Sequence, residues 1–180
     1  ALAGAVHLGN DTALVGLGES VYGAGKGAST VVYMTVSTGV NAARVVDGLL
    51  DTCMYGSDTG DQYIIVDGTP MQLGDLISGK AISEKYGMHP RELGKESPVW
   101  EELAGFTAFG LYNSILHWSP ERVVLGGSMF NEIGIPIERV AAHMQKLNSK
   151  YPTLPDIMHS SLGEVGGLWG GMARLKQLKD

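Results

Sequence analysis

The order of the strand-like and helix-like segments is the feature that most restricts how this 180-residue chain can fold. After one opening helix, β-branched apolar runs dominate to about residue 66, and longer segments of helical period then alternate with single short strands. Strands grouped together, followed by helices that alternate with strands, indicate an α/β layer architecture. Because the sequence has no internal repeat, low-complexity segment or linker, residues 1–180 are expected to form a single compact lobe.

The first half of the chain is predicted to contain a helix and an antiparallel meander. Residues 12–22 have an apolar face of helical period, Asn10 or Asp11 can cap that helix, and a glycine-rich loop over 23–27 ends it. Since this loop follows a helix and no Ser or Thr follows Lys26, it is not expected to be a phosphate-binding P-loop. The strands of the predicted meander are 31–36, 43–46 and 62–66, and a further short strand is expected at 6–8.

The second half is predicted to alternate helices with single strands. A helix is expected from Leu73 to near Gly87, and another over 99–118 begins with a capping sequence, Ser97-Pro98-x-x-Glu101. Short strands are expected at 122–125 and 157–159, with an amphipathic helix over 137–147 between them. A glycine-rich helix over 163–178 closes the chain and is expected to pack closely against a neighbour.

Charge and cysteine content exclude several classes of function. The net charge is −6 and the basic residues are scattered, which argues against a nucleic-acid surface, because phosphate binding needs clustered Lys and Arg. A single cysteine, Cys53, excludes an internal disulfide and a multi-cysteine zinc site, and it favours a reducing, cytoplasmic setting. No stretch has the length of a membrane helix and no signal peptide is recognisable, so no membrane partner is expected.

Three segments place polar groups or glycines at the ends of predicted elements. Asp11, at the start of the first helix, can take a proton from a substrate hydroxyl, or it can simply cap the helix. The Ser37-Thr38-Gly39 segment can hold a phosphate oxygen, or it can be an ordinary hairpin turn. Gly126-Gly127 lets a flat ring approach the backbone, or it serves strand–helix packing.

Taken together and in their order along the chain, these segments resemble the motifs of the ROK family of sugar kinases and sugar-responsive repressors. The resemblance is collinear over nearly the whole chain, and the motifs that carry it are Asn10-Asp11-Thr12-Ala13, the loop 23–27, the strand and turn 32–40, Ser78-Gly79, the segment 119–128 and the closing helix 163–173.

The resemblance implies the lobe of an actin-like ATPase, of ribonuclease H-like fold, with a mixed sheet that contains an antiparallel meander and is flanked by helices. It implies ATP-dependent phosphorylation of a sugar hydroxyl, with Asp11 as the general base and Asn10 beside it on the sugar. Thr38 and Gly39 would face the phosphates, and Mg²⁺ would bridge those phosphates. Gly126 and Gly127 would face the adenosine.

The sequence departs from the family pattern at the sugar and phosphate motifs. Asp58 and Asp61 stand where the family has other sugar-binding residues, which leaves open a different sugar, an amino sugar or lost activity. Val40 leads into Asn41 rather than further glycines, so the backbone is less open to a triphosphate. The cysteines of the family's structural zinc cluster have no counterparts here, and no bound zinc is expected.

The chain is expected to be the C-terminal lobe of a two-lobed kinase, because no segment resembling the first phosphate motif precedes Asp11. Without the N-terminal lobe, the isolated chain is expected to be inactive. The alternative is a sugar-responsive regulator, or a degenerate lobe that binds sugar without phosphorylating it. The apolar residues Trp100, Phe106 and Phe109 are either a homodimer contact or part of the core.

Overall fold

The structure is a computed structural model that describes residues 7–51, 53 and 56–178. Within that part of the chain, a mixed five-stranded sheet is covered by helices on both faces, and a separate two-stranded hairpin stands beside it. The helices are α1 Asp11–Tyr22, α2 Leu73–Ile77, α3 Gly79–Tyr86, α4 Val99–Trp118, α5 Ile137–Leu147 and α6 Gly166–Gln177. The strands are β1 Thr30–Val36, β2 Val40–Val46, β3 Leu49–Leu50, β4 Tyr63–Val66, β5 Thr69–Gln72, β6 Arg122–Gly126 and β7 Asp156–His159.

The five-stranded sheet has the order β3-β2-β1-β6-β7. β1 pairs antiparallel with β2 and parallel with β6, so that Val32 stands opposite Arg44 on one side and Val123 on the other. β7 extends the parallel half beyond β6. As the central strand, β1 is covered on both faces, which explains why it is apolar almost throughout rather than alternating.

Alternation along the central strands divides the core into two clusters, one on each face of the sheet. Val32 and Met34 of β1 pack with the large cluster that includes α4 and α5 residues such as Leu111 and Met144. Val31 and Tyr33 point to the opposite face and pack with α1 and α6. The α1 helix, which carries Asn10 and Asp11 at its beginning, is therefore held between the sheet and α6.

The predicted meander exists, but its third strand was assigned to the wrong residues. Residues 63–66 pair with Thr69–Gln72 in the separate hairpin, and the third strand of the meander is the two-residue β3. Asp47 and Gly48 both have positive φ, 50° and 72°, as a tight primed hairpin turn requires. The chain therefore reverses at once onto β2, and a two-residue strand is too short to leave a period in the sequence.

Two other predicted elements differ in the structure. The helix expected from Leu73 to Gly87 is divided at Ser78, whose backbone is extended and whose hydroxyl caps α3 by accepting from the N–H of Ala81 at 3.1 Å. Of the predicted strand 6–8, Val6 lies outside the described residues, and His7 and Leu8 have no regular structure.

The helices over 99–118 and 137–147 have the predicted bounds, and the closing helix begins at Gly166 after a short 3₁₀ turn. Trp100 belongs to the core: it is 1% exposed, and its indole N–H donates to the carbonyl of Gly94 at 2.7 Å. It therefore forms no exposed face with Phe109, which is half exposed. None of the helices in the described ranges is long and apolar enough to cross a bilayer.

Glycines allow α1 and α6 to cross at backbone contact. A Cβ added at Gly18 would lie 2.5 Å from the carbonyl oxygen of Gly166, and a Cβ at Gly170 would collide with the carbonyl of Leu14. The fully buried carboxylate of Glu19 in α1 binds the loop after α1 and the segment before α6, since it accepts from the backbone N–H groups of Ala24, Ser161 and Leu162, each at 2.8 Å. The position of α1 is therefore tightly fixed relative to the segment that leads into α6.

Candidate active site

Three cavities follow one another from strands β2 and β3 to the ends of β1 and β6, and each neighbouring pair shares a lining residue. The first, of about 410 Å³, is lined by Asn10, Arg44 and Asp58 among others. The second, of about 480 Å³, is lined by Asp11 and the β1–β2 turn, and it shares Asn41 with the first. The third, of about 280 Å³, shares Thr38 with the second. The carboxyl ends of strands in open α/β sheets are where ligands generally bind.

The first turn of α1 places Asn10 and Asp11 at neighbouring cavities. Asn10 is the N-cap, because its side-chain oxygen accepts from the N–H of Ala13 at 3.0 Å. Asp11 is exposed, and its Oδ1 accepts from the N–H of Thr12 at 2.7 Å. Within the described part of the chain, only Thr12 donates to the Asp11 carboxylate, so the group is anchored at one oxygen and open at the other.

The first cavity is rich in charge. The Arg44 guanidinium donates to the Asp51 carboxylate at 2.9 Å, and both groups line this cavity together with Asp58. Asp58 directly precedes the short 3₁₀ turn Thr59–Asp61. With two carboxylates and one guanidinium, the three side chains together carry a single net negative charge.

The second cavity is lined by neutral hydrogen-bonding groups beside Asp11. Thr38 and Gly39 form the β1–β2 turn, in which the N–H of Ser37 donates to the carbonyl of Gly39 at 2.8 Å. A Cβ added at Gly39 would meet no atom within 4 Å, so its backbone is open to a ligand. Burial raises the pKa of Tyr33 above its ordinary value, and the nearby negative charges of Glu19 and Asp11 raise it further. The phenol therefore stays protonated at neutral pH.

The third cavity is basic. It is lined by Lys80 and Arg91, by Thr38, and by Ser128, which follows β6. The first residue of α3, Gly79, donates its N–H to the carbonyl of Ser37 at 2.7 Å and so fixes this helix against the β1–β2 turn. The second and third cavities thus form one groove over the ends of β1 and β6.

The sequence model of the ROK family matches residues 2–178. The chain belongs to the ROK family.

The ROK chain is similar to proteins that are named as sugar kinases. It is 28% identical over 167 residues to a putative fructokinase of Bacillus subtilis (strain 168), covering 87% of this chain and 52% of the relative. This ROK chain thus spans about half the length of that curated relative. The named activities of ROK relatives make a sugar kinase the broad class to which the chain is related.

Solved ROK structures share the fold. The ROK hexokinase of Thermus thermophilus superposes with a TM-score of 0.79 at 22% identity, covering 96% of this chain and 66% of the hexokinase. A ROK glucokinase of Streptomyces griseus, solved with glucose and AMPPNP, gives 0.75 at 20% identity, covering 92% and 67%. The mixed sheet flanked by helices is accordingly the actin-like ATPase fold of ROK sugar kinases, as the sequence motifs predicted.

The structure places most of the predicted site residues of this ROK chain in the first and second cavities. Asn10 and Asp58 line the first cavity, and Asp11, Thr38 and Gly39 line the second. Asp61 is exposed on the 3₁₀ turn and lines none of the five described cavities. Its part in sugar binding stays a prediction with no support from its position.

Gly126 and Gly127 lie beside the groove, and the structure gives each a packing reason. A Cβ at Gly126 would lie 2.5 Å from the Tyr33 hydroxyl oxygen. Gly127 has a φ of 96°, and a Cβ there would lie 2.7 Å from Oγ1 of Thr35. Neither glycine lines a described cavity, whereas the next residue, Ser128, lines the third. Their contact with adenosine stays a prediction.

The predictions from sequence missed Lys80 and Arg91 as site residues. Ser78-Gly79 was identified as a motif, but the spacing of apolar residues does not show that the helix breaks at Ser78 and that α3 turns towards the groove. The predicted helix-ending role of the loop 23–27 is confirmed, because α1 ends at Tyr22 and the N–H of Gly23 donates to the carbonyl of Glu19.

The donor groups of the site determine which metal it could hold. In residues 7–51, 53 and 56–178, no three His, Cys, Asp or Glu side chains come together as a metal-binding cluster. The oxygens that line the second cavity, the Asp11 carboxylate and the hydroxyls of Ser37 and Thr38, are of the hard type that Mg²⁺ accepts when phosphates supply further ligands. The residues present therefore fit a Mg²⁺–nucleotide complex better than a metal held by protein alone.

Proposed function

We propose that this chain is the C-terminal lobe of an ATP-dependent sugar kinase with Asp11 as the general base. The placement of Asp11 carries the proposal: its carboxylate stands at the second cavity, with the charged first cavity on one side and the Thr38–Gly39 turn on the other. A base between a sugar site and a phosphate site is what phosphoryl transfer to a hydroxyl requires.

The chemical step follows from this arrangement. The sugar hydroxyl oxygen attacks the γ-phosphorus of ATP, a new oxygen–phosphorus bond forms, and the bond between the γ-phosphorus and the oxygen bridging to the β-phosphate breaks to release ADP. The open oxygen of Asp11 takes the hydroxyl proton. Assistance of this kind generally accelerates a reaction by about 10²–10⁴.

The neighbouring residues are assigned by position. Asn10 and Asp58 face the sugar in the first cavity. Thr38 and the open backbone at Gly39 face the phosphates, and the Lys80 and Arg91 side chains offer positive charge on the nucleotide side of the groove. When bound, Mg²⁺ would offset the charge of the phosphates, held by them and by the hydroxyls of Ser37 and Thr38.

The remaining phosphate-binding groups of the site would come from a part of the full-length protein that this chain does not span. The chain covers 52% of the Bacillus subtilis relative, and none of the described residues that line the second cavity is Lys or Arg. A triphosphate therefore needs further donors, and the isolated 180-residue chain is expected to show little turnover. We assign those donors to an N-terminal lobe in the full-length protein.

The test is an Asp11→Asn exchange in the full-length gene product, assayed with ATP, Mg²⁺ and a panel that includes fructose and glucose. Loss of the base should lower kcat by about 10²–10⁴, while the Kd for sugar stays nearly unchanged, because the amide keeps the size of the side chain. The matched control is Asp75→Asn, another exposed aspartate in the first turn of a helix, which lines none of the three cavities. Full activity of the Asp11→Asn enzyme contradicts the assignment, and sugar binding without any turnover by the unaltered protein favours the regulator or degenerate lobe instead.

A further inference from the structure

Asn41 stands at the boundary between the first and second cavities. It is the second residue of β2, lies opposite Thr35 of β1, and is partly buried. Among the described residues that line the first and second cavities, Asn41 alone contributes to both. Under the proposed function, the bond that forms in the reaction joins a group in the first cavity to a group in the second.

The side-chain amide of Asn41 has a defined orientation. The backbone N–H of Ala42 points at its Oδ1 over 2.7 Å, and an N–H group requires an acceptor there. The oxygen therefore lies on the strand side and Nδ2 is left as the donor. Within the described part of the chain, no residue accepts a hydrogen bond from Nδ2, and Nδ2 is not among the buried polar atoms that lack partners.

The second cavity needs donors of this kind. The described residues of its lining contain a carboxylate, hydroxyls and the phenol of Tyr33, but no Lys or Arg. During phosphoryl transfer, negative charge is spread over the three equatorial oxygens of the transferred group, and positioned donors stabilise that charge. Thr38 meets the second cavity from the nucleotide side, and Asn41 meets it from the sugar side.

We propose that Nδ2 of Asn41 donates a hydrogen bond to an equatorial oxygen of the phosphoryl group as it passes from the nucleotide to the sugar. This assignment rests on the proposed kinase function and adds a residue to it. Asn41 then contacts the transferred group directly. The sequence indicated only that Asn41, in place of a glycine, leaves the backbone of the turn less open to a triphosphate.

Two substitutions separate this role from a structural one. Asn41→Asp keeps the acceptor for the Ala42 N–H, so the strand is retained, but it places a carboxylate where the phosphoryl oxygen is expected. Asn41→Ala removes the donor without adding charge. Removal of one donor to a developing anion generally costs about 10²–10³ in kcat. We expect about that loss for Asn41→Ala and a larger one for Asn41→Asp, with the Kd for sugar alone within about threefold of the unaltered enzyme.

The experiment measures kcat, the KM for sugar and for ATP, and the sugar Kd for both variants in the full-length protein. Gln145→Glu, which adds a charge on the exposed surface of α5 away from the groove, is the control for net charge. The Asn41 side-chain amide protons are also followed by NMR in the unaltered protein. They should shift when ADP, aluminium fluoride and sugar are added together, and not with sugar alone.

The outcomes are distinct. Loss of kcat in both variants, with sugar affinity retained and the amide shift in the ternary complex, supports the assignment. An active enzyme whose variants keep the full kcat, or whose Asn41 amide is unmoved by aluminium fluoride, overturns it and leaves the kinase function standing. An unaltered protein that turns over no sugar overturns both proposals. If the variants unfold, the amide shift in the unaltered protein decides.

Discussion

The crossing of α1 and α6 makes a sharp prediction, because two adjacent glycines of α6 should respond to the same substitution with opposite signs. A Cβ at Gly170 would collide with the Leu14 carbonyl and lie 3.0 Å from the Leu14 Cα, and these are backbone atoms that cannot rotate away. A Cβ at Gly171 would meet nothing within 4 Å. Gly170→Ala must therefore push the helices apart, whereas Gly171→Ala only changes helix propensity.

The magnitudes follow from these contacts. Alanine in place of a helical glycine is worth about 1 kcal/mol in propensity. Gly171→Ala should thus raise the free energy of unfolding by up to about 1 kcal/mol. Overpacking a tight contact costs about 1–3 kcal/mol, and more when backbone blocks the new group. Gly170→Ala should therefore lose about 2 kcal/mol after the propensity gain, and the two variants should differ by about 3 kcal/mol.

Thermal and urea unfolding of the chain and its two variants, followed by far-UV circular dichroism, measure this difference. For a chain of this size, 1 kcal/mol corresponds to about 2–4 °C in Tm. Gly170→Ala should lower Tm by about 4–8 °C and Gly171→Ala should raise it slightly. If both alanines raise Tm by similar amounts, α1 and α6 are not in backbone contact, and their crossing does not fix the start of α1.

Two further predictions concern buried polar groups. Glu19→Gln should lower the free energy of unfolding in urea by about 2–3 kcal/mol, because the NH₂ group of Gln would replace Oε2 and face the Ala24 N–H, donor against donor. Glu164 is exposed and lies close in sequence to Ser161 and Leu162, so the control Glu164→Gln should be nearly neutral. Equal stability of the two variants refutes the role of Glu19. The raised pKa of Tyr33 means that the unfolded chain releases this proton first, so the contribution of Tyr33 to stability is complete below its ordinary pKa of 10.0 and is lost as the pH rises further. Tyr33→Phe should therefore reduce the loss of unfolding free energy between about pH 9 and about pH 11, and an unchanged pH profile contradicts the burial of this phenol.

The elements that were predictable from the sequence are those whose limits depend on local chemistry. The long helix Val99–Trp118 follows Ser97-Pro98 and ends before Ser119-Pro120, and β1 is an unbroken β-branched run, so their bounds are written in neighbouring residues. The third strand of the meander and the break at Ser78 depend instead on contacts made after folding. The two residues of β3 that pair with β2 are too few to show an alternating pattern, and the Ser78 hydroxyl that caps α3 leaves the helical spacing of apolar residues unchanged.

The same distinction explains which parts of the candidate site were predictable. Asn10, Asp11, Thr38 and Gly39 all stand where an element begins or ends, and such positions converge at one edge of a sheet that contains parallel strands. Asp58 and Asp61 were both assigned to the sugar site because they stand at sugar-binding positions of the family pattern, yet of the two only Asp58 lines the first cavity. Asn41 gains its place between the cavities from the register that sets it opposite Thr35, which is a property of the folded hairpin. In the sequence, Asn41 is a departure from the glycines of the family pattern. Its position between the first and second cavities, which only the structure shows, is what supports a role in phosphoryl transfer.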